Sequence, residues 1–422
     1  MAGPGPSNQP NSNLEPGIDA TPPCPHFGPC GGCQLQHLTY AAQLARKATQ
    51  LQTSLGATGL TLPTLQLHPS PPLAYRNRIR LTLSEVAGKL RAGYLASTPS
   101  QLSNLEPRTS DLSFLPITEC PIAAPILWRA TEALLTLIDV SPTLWLRNPL
   151  FKLDQLELFT SADESILQFT LYLRSAAKFA PPKLAATFTT LCESLRARTP
   201  ALTGASTALL PPLSAQRSRR TETARPGPTW GSSGLNYSVP QPTTDNQQLT
   251  TVFWVPRGAF FQINRFLLPE LLSVAIANRS GALAWDLYAG VGLFSRALTR
   301  SFARVTAVEI AEPAASALAS IRLPNLRAVK STTLDFLSSA VVDRDRPDLI
   351  VLDPPRTGAG PEICSLLARI AAPTLVYVSC SPETLPADLA ALCASGYRVA
   401  ELHLLDLFPQ TTHIETIAVL VR

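Results

Sequence analysis

The chain has 422 residues, 45% of them hydrophobic, with 35 basic and 30 acidic side chains for a formal net charge of +5. That is enough apolar chain for two or three domains with cores of their own, and it sets aside a wholly disordered protein. The mild basic excess suits a polyanionic partner without identifying one.

The first 23 residues hold six prolines and no apolar run of signal or anchor length, so a disordered tail over 1–20 and a cytoplasmic location away from membranes are expected. Eight cysteines follow: Cys24, Cys30, Cys33, Cys120, Cys192, Cys364, Cys380 and Cys393. In a reducing compartment, clustered cysteines serve metals or catalysis rather than disulfides. Next comes a helical stretch from about Tyr40 to Leu55. A strand with alternating basic and apolar residues is expected over Arg78 to Leu83, then a turn at Gly88.

Residues 126–198 alternate helical and strand patterns, with Ile166 to Leu173 a strand, which predicts an α+β region over 21–255. The Ser, Thr, Pro and Gly content of 203–248, with Arg217, Arg219, Arg220 and Arg225, reads as a long loop or linker. Over 256–422 the pattern changes to regular strand–loop–helix alternation. Strands are expected at Ala282 to Tyr288, Arg304 to Ile310, Asp348 to Leu352, Leu375 to Ser379 and Arg398 to Leu405. Ile414 to Val421 would close the sheet antiparallel. The predicted fold class is α/β: a mostly parallel, doubly wound Rossmann-like sheet following the α+β region.

Asp286-Leu287-Tyr288-Ala289-Gly290-Val291-Gly292 lies where the first of these strands ends. Its glycines let a ligand approach the backbone at the carboxyl edge of the sheet. Glu309 ends the next strand, 17 residues beyond Gly292, and suits two ribose hydroxyls. A dinucleotide fingerprint would carry a third glycine near Ser295, so an adenosine cofactor such as S-adenosylmethionine is expected. Asp353-Pro354-Pro355-Arg356 forms a rigid loop at another strand tip and aims a carboxylate at the same crevice.

Cys380 ends an apolar strand just before a helix expected near Pro382, where a helix amino terminus would lower the thiol pKa. A thiolate there can add to C6 of uracil and make C5 nucleophilic toward a methyl electrophile. The surplus C5 proton then needs a base, for which Glu415 in His413-Ile414-Glu415 is the candidate. Cys24, Cys30 and Cys33 with a distant Cys120 form a quartet suited to an iron-sulfur cluster or to zinc. Tyr75-Arg76-Asn77-Arg78-Ile79-Arg80, Lys89 and Arg91 suit phosphate contacts and base stacking.

Together these residues make the sequence similar to the uridine-C5 RNA methyltransferases, especially the iron-sulfur branch acting on 23S ribosomal RNA. The 35-residue interval between Cys380 and Glu415 and the Phe408-Pro409-Gln410-Thr411 run carry the likeness at the carboxyl end. The resemblance implies that Gly258-Ala259-Phe260-Phe261-Gln262-Ile263-Asn264 opens the methyltransferase domain. It also implies cofactor or target-base contacts from Gln262, Tyr288, Gly290, Glu309 and Asp353, attack by Cys380 and proton abstraction by Glu415. A [4Fe-4S] cluster on Cys24, Cys30, Cys33 and Cys120 is implied as well, in a structural role. The expected partner is RNA, ribosomal in preference to transfer RNA, bound by a monomer with its uridine flipped out of the stack. Leu293 stands where some members carry an asparagine, and Ser331 and Asp335 compete for an acidic or amide position after the third strand. The rival readings are methylation of transfer RNA, methylation of another RNA base or position, and an iron-sulfur RNA-binding protein without catalysis.

Overall fold

The structure, a computed structural model, describes residues 19–97, 112–145, 148, 150–175, 183–211, 224–241, 249–276 and 278–422. Residues 1–18 of the expected tail and the basic side chains Arg217, Arg219 and Arg220 lie outside the described residues, while Asp19 and Ala20 are bonded to the 37–38 segment. Thr39 starts helix α1 (Tyr40–Gly56) by accepting from the Ala42 N–H at 3.4 Å, which satisfies one of the free donors of the first turn. Its buried stripe is Gln43, Lys47, Leu51 and Leu55, spaced four apart. Strand β1 (Leu65–His68) follows.

Seven strands then build one sheet. Strands β2 (Arg78–Val86) and β3 (Lys89–Ser97) form a hairpin through Ala87 and Gly88, both at positive φ, as the turn expected at Gly88 requires. Then come β4 (Leu112–Pro116), helices α2 (Pro125–Val140) and α3 (Pro142–Trp145), β5 (Lys152–Thr160), β6 (Leu167–Arg174), α4 (Leu184–Arg198), β7 (Leu202–Leu210) and β8 (Arg225–Gly231). The order is β4-β3-β2-β5-β6-β7-β8, antiparallel except for β6 and β7, which α4 connects. Leu81, Leu134, Leu156, Phe169 and Phe188 fill the core between this sheet and its helices. The α+β expectation holds.

One expectation fails here. The stretch 203–248, anticipated as a linker, is mostly strand where it is described, because it supplies β7, β8 and β9 (Gly234–Gln241), the last pairing antiparallel with β10 (Leu249–Pro256). Its small and β-branched residues pack between neighbouring strands: a Cβ on Gly204 would lie 2.2 Å from the Ser232 carbonyl oxygen. Composition signalled a loop, but close strand packing was the demand being met.

The remaining elements are α5 (Leu268–Ile276), β11 (Gly281–Leu287), α6 (Leu293–Leu298), β12 (Phe302–Glu309), α7 (Ala314–Ser320), β13 (Leu326–Lys330), α8 (Thr333–Asp343), β14 (Leu349–Leu352), α9 (Gly360–Ile370), β15 (Thr374–Ser379), α10 (Leu385–Ala394), β16 (Arg398–Leu405) and β17 (Glu415–Val421). They form the sheet β1-β16-β17-β15-β14-β11-β12-β13. Only β17 runs antiparallel, against both β15 and β16, as the closing strand was expected to. The edge strand β1 was not anticipated there: Leu65 to His68 pair in parallel with Leu402 to Leu405. With Leu51 and Leu55 of α1 in the same core as Leu352 and Tyr377, the segment 40–68 packs on the carboxyl-terminal sheet. The boundary drawn at 255/256 therefore divides a unit that the tertiary structure joins. Among the described residues no helix is long and apolar enough to cross a membrane.

Candidate active site

Parallel strands end side by side, so the residues that follow them form a row along the carboxyl edge of the sheet. That row contains Ser331 after β13, Glu309 closing β12, Tyr288 after β11, Asp353 after β14 and Cys380 after β15. The loop after β11 is held in left-handed backbone at Tyr288 (φ 62), Gly290 (φ 56) and Gly292 (φ 89). A side chain at Gly292 would meet Leu318 Cδ1 at 2.9 Å, whereas Gly290 faces open space. The first glycine leaves room for a ligand and the second for helix packing.

Gln262, Tyr288, Gly290 and Asp353 line one cavity beside the exposed ring of Phe260, and Tyr288 also lines a second, of about 170 Å³, with Glu309 and Ser331. The five expected cofactor-contact positions thus border two cavities that share Tyr288. Glu309 accepts from the N–H groups of Gly290 (2.9 Å), Ile310 (2.8 Å) and Ala311 (2.6 Å). Of the two alternatives after the third strand, Ser331 lines the crevice. Asp335 is used instead as a helix cap: its N–H donates to Thr332 Oγ1 at 3.1 Å and its carboxylate accepts from that hydroxyl at 2.6 Å. Gln262 is placed by its neighbours, since Asn77 Nδ2 donates to the Gln262 carbonyl at 2.9 Å and to the Tyr237 hydroxyl at 3.0 Å.

Asp286 is buried beneath the glycine loop and accepts from the Ser295 N–H at 2.7 Å and from the Ser295 hydroxyl. Burial pushes its pKa up to about 7 against the pull of those donors. Asp353 is also pushed up to about 7, by desolvation first and the neighbouring Asp286 second. Glu415 is 3% exposed. Burial, then the charge of Asp353, holds its carboxyl well above the ordinary range, opposed by Arg356.

Cys380 lines an open cavity of about 390 Å³ with Arg356, Glu383 and His413. Here the sequence expectation of a lowered thiol pKa is overturned. Helix α10 begins only at Leu385, too far along the chain for its first N–H groups to serve the sulfur. Burial raises the Cys380 pKa, Glu415 and Asp353 raise it further, and Arg356 alone among the named neighbours lowers it, by charge and hydrogen bond. Sequence reasoning assigned no role to Arg356; the signal available was a basic residue directly after a rigid Pro-Pro turn.

The basic run beside the cysteines is also corrected. Tyr75 and Asn77 are buried, and Arg78 donates to the Ala259 carbonyl at 2.8 Å with its guanidinium 4.1 Å from the Phe159 ring centroid. Asn77, just before β2, bonds Tyr237 of β9 and the Gln262 carbonyl; Arg80, Lys89 and Arg91 are exposed, with Arg80 bonded to Gln155 and stacked on Tyr172. Cys24, Cys30, Cys33 and Cys120 border one cavity of about 190 Å³ that Arg76 and Tyr94 also line. Burial raises the Cys33 pKa to about 11, and the nearby Cys120, Cys30 and Cys24 add to it against a hydrogen bond from Gln36. Among the described residues no three His, Cys, Asp or Glu side chains are drawn together as ligands of one ion; the four sulfurs surround a space instead.

Residues 245–422 match the family described as tRNA (Uracil-5-)-methyltransferase. The 23S rRNA (uracil(1939)-C(5))-methyltransferase RlmD of Chromohalobacter salexigens is 30% identical over 408 residues, covering 96% of this chain and 76% of that protein. A Thermotoga maritima protein named only as an uncharacterized RNA methyltransferase is 41% identical over 177 residues, which is 40% of either chain. The crystal structure of Pyrococcus abyssi tRNA (uracil-54, C5)-methyltransferase with S-adenosyl-L-homocysteine superposes with a TM-score of 0.65 at 21% identity, covering 93% of this chain and 86% of that one; this likeness concerns the fold.

Proposed function

The chain belongs to the S-adenosylmethionine-dependent RNA (uracil-5-)-methyltransferases, and from that premise we propose that it methylates C5 of a uridine in 23S rRNA through a covalent adduct on Cys380. The observation that carries the mechanism is the convergence of Glu415, Asp353 and Arg356 on Cys380, whose pKa the two carboxylates raise and the guanidinium lowers. The ribosomal target is supported by the relative from Chromohalobacter salexigens, whose match spans nearly the whole chain.

S-adenosylmethionine supplies an electrophilic methyl group. The open face of Gly290, the carboxylate of Glu309 and the crevice side of Ser331 suit its adenosine, and Asp353 with Gln262 would hold its amino-acid end. Arg356 favours the Cys380 thiolate, which bonds to C6 of the flipped uracil and sends the C5–C6 electron pair toward O4. C5 then takes the methyl group. Glu415 removes the C5 proton, the double bond re-forms and the C6–Sγ bond breaks, returning the thiolate. A carboxyl held above its ordinary pKa is the stronger proton acceptor once ionised, so the burial that hinders Cys380 assists Glu415.

We propose that the cysteine quartet, whose four members border one cavity, holds the [4Fe-4S] cluster that the resemblance implies. Bound there, the cluster would tie the 24–33 segment to Cys120 at the foot of α2. Methyl transfer by this route consumes no electron, so the role is structural.

The test is incubation with S-adenosylmethionine and in vitro-transcribed 23S rRNA or tRNA carrying 5-tritiated uridine. Tritium released to water from the 23S transcript alone is expected. Methyl incorporation without tritium release would exclude C5, and release from tRNA alone would exclude the ribosomal target.

A further inference from the structure

The connection between β16 and β17, residues 406–414, has no regular structure, yet its backbone is held from outside over its first five residues. Five consecutive carbonyls accept hydrogen bonds from elsewhere in the chain. Asn264 Nδ2 reaches those of Asp406 (3.4 Å) and Leu407 (3.2 Å), and Lys47 Nζ that of Phe408 (2.9 Å). The Tyr75 hydroxyl donates to Pro409 (3.0 Å), and the N–H groups of Gln34 and Leu35 both donate to Gln410 (3.0 Å). Gln43 closes the set by a reciprocal pair: its Nε2 donates to Gln410 Oε1 at 2.9 Å and its Oε1 accepts from the Gln410 N–H at 3.0 Å. Gln410 sits at φ 69, a left-handed conformation that a glutamine keeps only where its surroundings impose it.

Lys47 also pairs with Asp406 Oδ1 at 2.6 Å, with both side chains at most 1% exposed. A buried ion pair is weak evidence for stability, because well-packed apolar residues of the same volume often serve as well or better. What it supplies is a defined geometry. The main chain runs directly from this clamp to His413, on the wall of the Cys380 cavity, and to Glu415. Cys380, by contrast, follows directly on β15.

We propose that Gln43 and Lys47 are positioning residues for proton abstraction, fixing through Gln410 and Asp406 the loop that enters β17 at Glu415 and so the aim of that carboxylate at the adduct on Cys380. The inference rests on Glu415 being the base. The step it governs is the last one: the carboxylate takes the C5 proton, its bonding pair re-forms C5=C6, and the C6–Sγ pair returns to sulfur. Addition and methyl transfer come earlier and need only Cys380 and the cofactor crevice. Loosening the clamp therefore slows elimination selectively.

The test compares Gln43→Ala, the double variant Lys47→Met/Asp406→Leu, and Glu415→Gln in the full-length enzyme with S-adenosylmethionine and in vitro-transcribed 23S rRNA. The readouts are kcat, KM for RNA, and the fraction of enzyme in a methylated adduct that survives denaturing gels. The clamp variants should lose about tenfold or more in kcat, since misplacement by about 1 Å can cost a hundredfold, with KM near wild type and the adduct fraction raised. Near-UV circular dichroism checks the fold; if the double variant does not fold, Gln43→Ala decides alone. Glu415→Gln trapping adduct while the clamp variants show the wild-type adduct fraction overturns the positioning role and leaves the base in place. Clamp variants that accumulate adduct while Glu415→Gln turns over normally remove Glu415 as the base, and with it the positioning role assigned to the clamp. If neither accumulates adduct, both assignments fall.

Discussion

Cys380 and Glu415 are brought together by strand register: Ser379 of β15 pairs with Thr416 of the antiparallel β17, and the two residues stand just beyond that pair on opposite strands. The Ser379–Thr416 pair is the last rung between these strands, so Cys380 and Glu415 flank the end of a ladder whose opposed Cα atoms lie roughly 4.5 to 5.5 Å apart. Cys380→Ala should abolish both methylation and adduct. Glu415→Gln should allow addition and methyl transfer but arrest elimination, leaving an RNA–protein species on denaturing gels. Full methylation by Cys380→Ala would end the covalent mechanism.

The titration of Cys380 sets the pH profile. Its pKa is raised by burial and by Glu415 and Asp353, so the thiolate fraction of the free enzyme is small at neutral pH and grows above it. The value of kcat/KM should climb through the alkaline range. Arg356→Met removes the neighbouring cation that favours the thiolate and should move that rise to still higher pH. A rise displaced toward acid in the variant would contradict this electrostatic account.

Asp286 gives a stability prediction with the opposite reading of pH. A buried carboxyl whose folded pKa is about 7 holds a proton that the unfolded chain has released between pH 4 and 7. Its contribution is fully present below the unfolded pKa and is lost as pH rises through about 7. The ligand-free enzyme should therefore melt at a higher temperature near pH 5 than near pH 8, to an extent that Asp286→Asn reduces. Asparagine Oδ1 can still accept from Ser295, so the variant isolates the charge. Equal pH dependence in both proteins would refute the assignment.

The two glycines after β11 should separate fold from ligand. Gly292→Ala sets a Cβ against Leu318 and Ile321 at φ 89 and should cost about 1 to 3 kcal/mol of stability, seen as a lower melting temperature. Gly290→Ala meets no protein atom. It should lose less stability but weaken S-adenosylhomocysteine binding, measured by calorimetry, because the methyl group enters the crevice.

Protein purified without oxygen should contain iron and acid-labile sulfide in equal amounts, and Cys33→Ser or Cys120→Ser should lose both. The Cys33 change should also loosen Gln34 and Leu35 from Gln410, which amide hydrogen exchange would register as faster exchange at those two N–H groups. Zinc without sulfide in the wild-type protein would replace the cluster assignment.

Much of the carboxyl-terminal half was legible from one dimension. Parallel strands buried on both faces announce themselves as short apolar runs, and the residues closing each run, Tyr288, Glu309, Asp353 and Cys380, fall at the one edge where such sheets gather their ligands. The segment 203–248 was misread because close strand packing and loops both favour small residues. The pKa of Cys380 was misread because the start of α10 was placed three residues too early, and because burial and neighbouring carboxyls are not local properties.

By itself, then, the sequence determined the parts of the chemistry that depend on residue type and nearby spacing: a sheet-edge thiol, a glycine turn, carboxylates at two strand tips and a cysteine quartet. Only the tertiary structure decided that α1 and β1 belong with the methyltransferase sheet and that Lys47 meets Asp406, 359 residues away. The same holds for Asn77 and Arg78, which bond Tyr237 and the Ala259 carbonyl instead of facing a polyanion. The reason is physical: hydrophobic periodicity records which face of an element is buried, but not which element covers it. A polar residue on that face looks like surface until its partner, distant in the chain, arrives to satisfy it.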